Sequence, residues 1–445
     1  MLISAIKDSF KRNCPRLFKI LTGLYSVVSK GFQKVAEFFM ILKAPCLQRR
    51  ALRKLKGKAK LKCVFFVAEV ADWKCDRIYQ RMLESPRFEA VIVICPVINY
   101  GAANKKQEIQ ECEEFFRKKG YDYIVSLDEN TGALLNVKKV VNPDLIFYTD
   151  PYRNLTEDAF YISSYQSTLG LYVPYGFNNN SEFNHSYNLL FHNIVWRLYV
   201  ESKVHKGYAQ GVSRCKGRNV VATGYPAIEG LIDGHTPSLD GWKIKGNTIK
   251  RIIWAPHHTI EPVGNFAYSC FMDYADFMLE MAEKYKDEVQ FVFRPHPHLR
   301  KKLDMIWGKG KTDKYYSKWQ DGDNTAFVEG AYEDLFLTSD AMIHDSGSFT
   351  VEYLFVNKPV MRTINEIPLE KQFNDFTLRC LKNYYLANTQ QQVEDFILDV
   401  ISGRDPLKEQ RTAFLNDVLM PSGIPSQNIL NDILDSIDQQ ILYRR

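Results

Sequence analysis

The chain has 445 residues, 45% of them hydrophobic and 25% charged, and 58 Lys+Arg against 52 Asp+Glu give a formal net charge of +6. This composition excludes a disordered chain, and the length exceeds one small core; at roughly 100 to 200 residues per domain it fits two core domains. The charge is unevenly spread: residues 1–62 carry 16 basic and 2 acidic side chains, a net of +14, which leaves a body of net −8.

From Leu17 to Leu42 apolar residues recur at steps of three and four (Leu17, Leu21, Leu24, Val28, Phe32, Val35, Phe39, Leu42). This is the pattern of an amphipathic helix. Its longest uncharged stretch, Ile20 to Ser29, has ten residues, against the ~20 needed to cross a bilayer. Pro45 is expected to stop the helix. The basic run from Arg49 through Lys62 that follows would be attracted to anionic headgroups. Residues 1–62 therefore read as a segment that lies on an anionic membrane surface; the plainer alternative packs the helix on the body, with the basic run a solvated linker. No cleavage site for a secretory signal follows, and no nucleic-acid motif accompanies the charge, so a nucleic-acid partner is excluded.

Beyond residue 62 short apolar runs alternate with helical stretches. Strands are predicted at Cys63–Val70, Ala90–Val97, Tyr123–Leu127, Leu145–Thr149 and Val220–Gly224, with helices at about Trp73–Leu83 and Gln107–Lys119. Leu169 to Ser202, rich in Tyr, Asn and Phe, fits no single pattern. Gly234 to Thr248 lacks periodicity and reads as a linker. The alternation then resumes with strands at Arg251–Ala255, Val289–Phe293, Ala326–Glu329, Ala341–His344 and Pro359–Thr363, and helices from about Phe266 to Tyr285, Gln390 to Ile401 and Ser426 to Leu442. The fold class is α/β: two Rossmann-like domains facing a cleft, residues 63–233 and 249–405, with a helical N-terminal segment and a C-terminal helical tail over 406–445. The nine cysteines are scattered and never spaced CxxC, which indicates free thiols in a reducing compartment.

Three strand ends of the second domain carry polar clusters: Pro256-His257-His258-Thr259, Arg294-Pro295-His296-Pro297-His298, and His344-Asp345-Ser346-Gly347-Ser348 opening a helix that contains Glu352. Ligands of such sheets bind beyond the carboxyl ends of the strands. A serine-rich turn can simply cap its helix through Asp345 or Ser346. It also offers amides, hydroxyls and a helix N-terminus to a phosphate. Arg294 and His296, stiffened by flanking prolines, could grip a diphosphate and protonate or orient it. The four histidines in HH and HxH pairs could instead hold zinc, but no carboxylate is placed to act on bound water. Gly310-Lys311-Thr312 lacks the glycine and the preceding strand of a P-loop.

In order and spacing the segments TGYPAIEGL (223–231), APHHT (255–259), VFRPHP (292–297) and AFVEGAYEDLFLTSDAMIHDSGSFTVEYLFVNKPVM (326–361) resemble the CDP-glycerol glycerophosphotransferase family, which builds teichoic acids and related capsule polymers. The resemblance implies a GT-B-like fold with the nucleotide donor in the C-terminal domain, the acceptor between the domains, and peripheral attachment to the cytoplasmic face of the membrane. It implies that His296 and Arg294 contact the donor diphosphate, that Ser346, Gly347 and Ser348 bind phosphate, that Glu352 approaches the ribose, and that His257 or His258 lies over the phosphates. The catalytic set is then His257, His258 and His296.

Two positions depart from the family pattern. Ser346-Gly347 stands where the family has Tyr-Ser, and Pro174-Tyr175-Gly176 stands where it has a Trp-His-Gly segment with a histidine base. The acceptor side is left to Tyr175, His185 and His192, and a tyrosine of ordinary pKa near 10 is a poor base. The expected reaction moves glycerol phosphate, or a related polyol phosphate, from a CDP-linked donor to a lipid-linked or polymeric acceptor, with no metal and no cofactor required. A glycosyltransferase using a nucleotide sugar and a non-catalytic membrane-bound scaffold are the alternatives. The sequence specifies no oligomeric state.

Overall fold

The computed structural model describes residues 15–99, 101–246, 249–261 and 268–443, and their side chains except those of 15–30, 102 and 103. Seven strands, β1 (Leu61–Val67), β2 (Phe88–Ile94), β3 (Tyr123–Val125), β4 (Leu145–Tyr148), β5 (Leu169–Tyr172), β6 (Arg197–Val200) and β7 (Val220–Ala222), form one sheet in the order β3-β2-β1-β4-β5-β6-β7. Six more, β8 (Lys250–Ala255), β9 (Val289–Phe293), β10 (Thr325–Phe327), β11 (Ala341–His344), β12 (Val360–Thr363) and β13 (Tyr385–Ala387), form a second in the order β10-β9-β8-β11-β12-β13. All the pairings within both sheets are parallel. Central strands such as β1 and β9 are apolar and buried along nearly their whole length, as parallel strands covered on both faces must be. The fold class is the one the alternation predicts.

The unassigned stretch from Leu169 holds β5 and β6 with two one-turn helices between them, Phe183–Tyr187 and Leu190–Ile194. Gly170 interrupts the apolar run of β5 and Arg197 that of β6, so neither stands out from its polar surroundings. β13 (Tyr385–Ala387) has three residues and is likewise unassigned from the sequence. The helix predicted from Phe266 is described from Phe271; residues 262–267 lie outside the described residues. Thr389 caps the Gln390–Ser402 helix in a full capping box with Gln392.

The N-terminal helix corrects the expectation that Pro45 ends it: it runs from Pro15 to Leu55 with Pro45 inside. A proline inside a helix removes one hydrogen bond and crowds the preceding turn. Here packing supports the helix past that point, since Ala44, Gln48, Ala51, Leu52 and Leu55 are buried and Gln48 donates to the Ile194 carbonyl at 2.8 Å. Residues 44–55 thus pack on the body, whereas Phe32, Val35, Phe38, Phe39 and Leu42 are exposed. The side chains of Leu17 to Ser29 lie outside the described residues, and among the described helices none is long and apolar enough to cross a membrane.

The C-terminal helix Pro425–Asp438 returns to the first domain. Arg197, with no exposure, pairs with Asp432 at 2.9 Å and donates to the Leu442 carbonyl at 2.6 Å. Ser426 donates its amide and hydroxyl to Glu229. The chain therefore crosses between the domains twice, the second time to return to the first domain.

Candidate active site

The ends of β9, β8 and β11 lie side by side, and the strand order reverses between β8 and β11. Each end carries a histidine in the same local turn, where the amide two residues further on donates to Nδ1: Thr259 to His257 (3.3 Å), His298 to His296 (3.2 Å) and Ser346 to His344 (3.1 Å). A nitrogen that accepts an N–H carries no proton itself, so in the neutral rings the proton sits on Nε2. His344, fully buried, donates that proton to the Tyr384 hydroxyl, which in turn donates to the Thr350 carbonyl at 2.8 Å. His257 and His296 have no such partner for Nε2 among the described residues, and their N–H groups remain available to a ligand.

The rings of His257, His258 and His296 cluster with centroids 4.2 to 4.9 Å apart, and that of His298 lies 5.2 Å from that of His296. Burial is the main cause that pushes His296 down to about 2 and His258 to about 4, with His257 held well below its ordinary value; neighbouring rings and Lys302 act in the same direction. All three are neutral donors near pH 7. Of the two roles expected for His296, orienting a diphosphate suits a neutral ring and protonating it does not.

Asp345 and Ser346 do not cap the following helix, contrary to the plain reading: Ser348 occupies the cap position, and no side chain caps there. Asp345 instead accepts the amides of His257 and Cys270, fastening the loop after β8 to the turn after β11. Burial raises its carboxyl to about 6. Beneath the turn Arg362, on β12, donates to the carbonyls of Ser346 (2.7 Å) and Asp345 (3.1 Å). A trans peptide places its N–H opposite its carbonyl, so drawing the Ser346 carbonyl toward β12 turns the Gly347 amide outward. Among the described residues the Gly347 and Ser348 amides donate to no backbone carbonyl. The Phe349–Glu352 helix is only four residues long and continues as a 3-10 turn through Val356, so these amides matter more than any helix dipole.

Arg294 is buried, and its terminal nitrogens donate to the carbonyls of Val328 and Gly330, while Nε has no partner among the described residues. Glu352, 1% exposed, accepts from the Tyr332 hydroxyl at 2.6 Å. Lys74 of the first domain reaches over the Tyr332 ring, 5.6 Å from its centre.

The facing wall comes from the first domain. Tyr175 meets the Tyr152 hydroxyl at 3.1 Å, and Tyr152 lies 3.4 Å from His185 Nδ1 with the rings stacked at 4.9 Å. Burial, then the nearby Tyr152, holds the Tyr175 phenol well above 10, which removes it further from the role of a base. His185 is exposed. His192 is 2% exposed and pushed down to about 3 by burial; it belongs to the core beside Phe191 and Tyr172 and is closed to an acceptor. The loop after Tyr175 touches the second domain: a Cβ on Gly347 would come within 2.8 Å of Asn179 Nδ2. Asn374 secures the contact by donating to the Asn178 and Asn180 carbonyls while its own side chain accepts from Thr377.

His257, His258 and His296 each place one ring nitrogen within 4.8 Å of the others, a spacing open to a metal ion. The tautomers oppose it. A metal on Nε2 of His257 or His296 would require the proton on Nδ1, where a backbone N–H already points. The same tautomers suit phosphate oxygens.

Residues 176–433 match the model of the CDP-glycerol:poly(glycerophosphate) glycerophosphotransferase family. The chain belongs to this family. Membership makes it a transferase of cell-wall polymer synthesis. No curated protein matches the chain. Among solved structures, a variant of the wall teichoic acid polymerase TagF aligns at 12% identity over 92% of this chain and 99% of that one, with a TM-score of 0.57. MnaA of S. aureus, solved with UDP, aligns at 13% over 86% and 99%, TM-score 0.55. The UDP-GlcNAc 2-epimerase of Neisseria meningitidis, bound to UDP-GlcNAc, aligns at 15% over 84% and 100%, TM-score 0.54. At these identities the likeness is one of fold: two Rossmann-like domains in the GT-B arrangement.

Reasoning from sequence missed Lys302, Lys74, Arg362 and Asn374. Arg362 had a signal, an arginine inside an otherwise buried strand. Lys302 follows His298 by one helical turn. Lys74 and Asn374 meet the site only through the way the domains face each other.

Proposed function

We propose that the protein transfers glycerol phosphate, or a related polyol phosphate, from a CDP-activated donor to a lipid-linked or polymeric acceptor. The observation that carries this reading is the pair of free Nε2–H groups on His257 and His296 beside the outward amides of Gly347 and Ser348. Fixed dipoles aimed at one point stabilise charge on a transferring phosphoryl group without reorganising. The acceptor hydroxyl attacks the distal phosphorus in line, its bond to the CMP oxygen breaks, and CMP leaves. The ribose is assigned to Glu352 and the Tyr332 hydroxyl that it holds. No resident cofactor enters the reaction.

The exposed apolar residues Phe32 to Leu42, together with exposed Arg49, Arg50, Arg53, Lys54 and Lys56, support peripheral binding to the anionic cytoplasmic face of the membrane. The decisive experiment offers the purified protein CDP-glycerol, other CDP-polyols and UDP- or GDP-sugars, with glycerophosphate-primed lipid as acceptor. CMP release with chain extension is the expected result. Turnover of nucleotide sugars alone would refute the reading.

A further inference from the structure

The first sheet has a switch point of its own, between β1 and β4, and a carboxyl group follows each strand. Asp72 closes the 3-10 turn Val70–Asp72 after β1, and Asp150 lies two residues beyond β4. β4 and β5 pair with Tyr148 opposite Tyr172, so Asp150 stands one strand across from Pro174 and next to Tyr175. We propose that Asp150, held by the Tyr152 amide and across the switch point from Asp72, accepts the proton of the acceptor hydroxyl, at the site where the family pattern has a histidine. The inference rests on the transfer reading above and assigns its missing base.

Contacts on both flanks turn this pair toward the donor domain. Asp150 accepts the Tyr152 amide at 2.6 Å, and Tyr152 meets Tyr175, whose neighbour Gly176 packs against Ser348. Two residues past Asp72, Lys74 lies over Tyr332, the partner of Glu352. A separate observation points to a ligand. Asp150 and Tyr152 line a small recess with Tyr148 and Thr156. The Tyr148 side chain is 4% exposed and its buried hydroxyl has no partner among the described residues. A buried O–H without a partner, lining the same recess as a carboxyl, is what a hydroxyl-bearing ligand would satisfy.

The electrostatics fit a base. Burial raises Asp150 to about 8, opposed by the Tyr152 amide and helped by Glu69. Burial and then Asp150 raise Asp72 well above its ordinary value, with Glu69 and Glu108 adding to this and Lys74 opposing it. Such a pair titrates as a unit, and its ionised form is a far stronger base than an ordinary carboxylate. In the step, the acceptor oxygen bonds to the distal phosphorus, its proton passes to Asp150, and the phosphorus–oxygen bond to CMP breaks with the electron pair leaving on CMP. The proton returns to water when products depart.

The test compares wild type, Asp150→Asn, Asp72→Asn and His185→Ala in transfer from CDP-glycerol across pH 6 to 9, with CDP affinity measured by calorimetry on each. Asp150→Asn should lower transfer by about a hundredfold or more, keep CDP affinity, and abolish the rise of rate through pH about 8. Asp72→Asn should keep that rise, because burial and Glu69 are what raise Asp150; a rise lost with Asp72 would move the base there. Undiminished transfer by Asp150→Asn, or loss of the rise in His185→Ala instead, overturns the assignment while leaving the transferase reading intact. A wild type that neither binds CDP nor transfers removes both.

Discussion

Replacing His296 tests the donor site where its geometry is most specific. The backbone N–H of His298 occupies Nδ1 of His296, so the ring can offer a ligand only Nε2–H. A hydrogen bond to a charged group contributes roughly 1.5 to 3 kcal/mol, and at about 1.4 kcal/mol per tenfold the His296→Ala protein should bind CDP about 10 to 150 times more weakly. His296→Gln carries an amide N–H about as far out as Nε2 and should recover part of the loss. His296→Asn reaches only as far as Nδ1 and should behave like alanine. Because burial holds the ring down to about 2, its contribution does not depend on protonation between pH 5.5 and 8; the ratio of wild-type to variant affinity, in which the titration of CDP itself cancels, should be flat there. Calorimetry gives the ratio, and 15N shifts of the ring give the tautomer directly. A ratio that falls as pH rises through about 6.5, the ordinary histidine value, would mean a charged ring and would refute the tautomer argument. So would a glutamine variant no better than alanine.

Arg362→Met strips the Ser346 and Asp345 carbonyls of their buried donor, at about 1 to 3 kcal/mol for each group left unpaired; thermal unfolding should fall and CDP affinity should be lost with it, and retained affinity would show that the turn holds without the clamp. Asp432→Asn leaves the fully buried Arg197 without its counter-charge, a loss of about 3 to 5 kcal/mol that urea unfolding should record, and an unchanged midpoint would refute it. His344 is held well below its ordinary value by burial, so the stability this supplies is present above about pH 6.5 and is lost as pH falls, because the unfolded chain binds the proton first; His344→Asn should reduce the slope of stability against pH in that acid range by about 1.4 kcal/mol per unit, and an unaltered slope would contradict it. Phe32, Phe38 and Phe39, each more than half exposed, could add about 1.5 to 3 kcal/mol apiece on entering a lipid interface; replacing all three by Ser should abolish sedimentation with anionic vesicles, whereas undiminished binding would place the membrane contact elsewhere.

Both sheets were legible because parallel strands buried on two faces write long apolar runs, and the site was legible because each run ends in a polar cluster. What escaped is what depends on tertiary placement. β5 carries Gly170 and β6 carries Arg197 within runs of four, in a stretch rich in Tyr and Asn, so no clean apolar run marks them. Pro45 reads as a stop because the local cost is visible in the sequence, while the compensating burial of Leu52 and Leu55 is not. Asp345 reads as a cap, but its partners, the amides of His257 and Cys270, lie 88 and 75 residues away in the chain. Asp150 gave no sign because an aspartate after a strand is ordinary; only its place at the switch point of the first sheet, near Tyr175, sets it apart.

The distribution of charge across the cleft bears on how a diphosphate would be neutralised. His257, His258 and His296 are neutral, and two outward amides supply only partial charge. Arg294 and Arg362 are full cations, but their terminal nitrogens are committed to carbonyls that shape the site, so they act through the field rather than by contact. Lys302, whose charge is the largest influence on His258 after burial, and Lys74, from the opposite domain, remain as cations able to reach a ligand. One stands on each wall. On the transfer reading a bound diphosphate therefore attracts both domains toward itself, and the same closure carries Asp72, two residues from Lys74, and its neighbour Asp150 toward the phosphorus. With Asp150 as the proposed base, donor binding and its placement are one movement, and the first domain then has no need of a histidine at Tyr175.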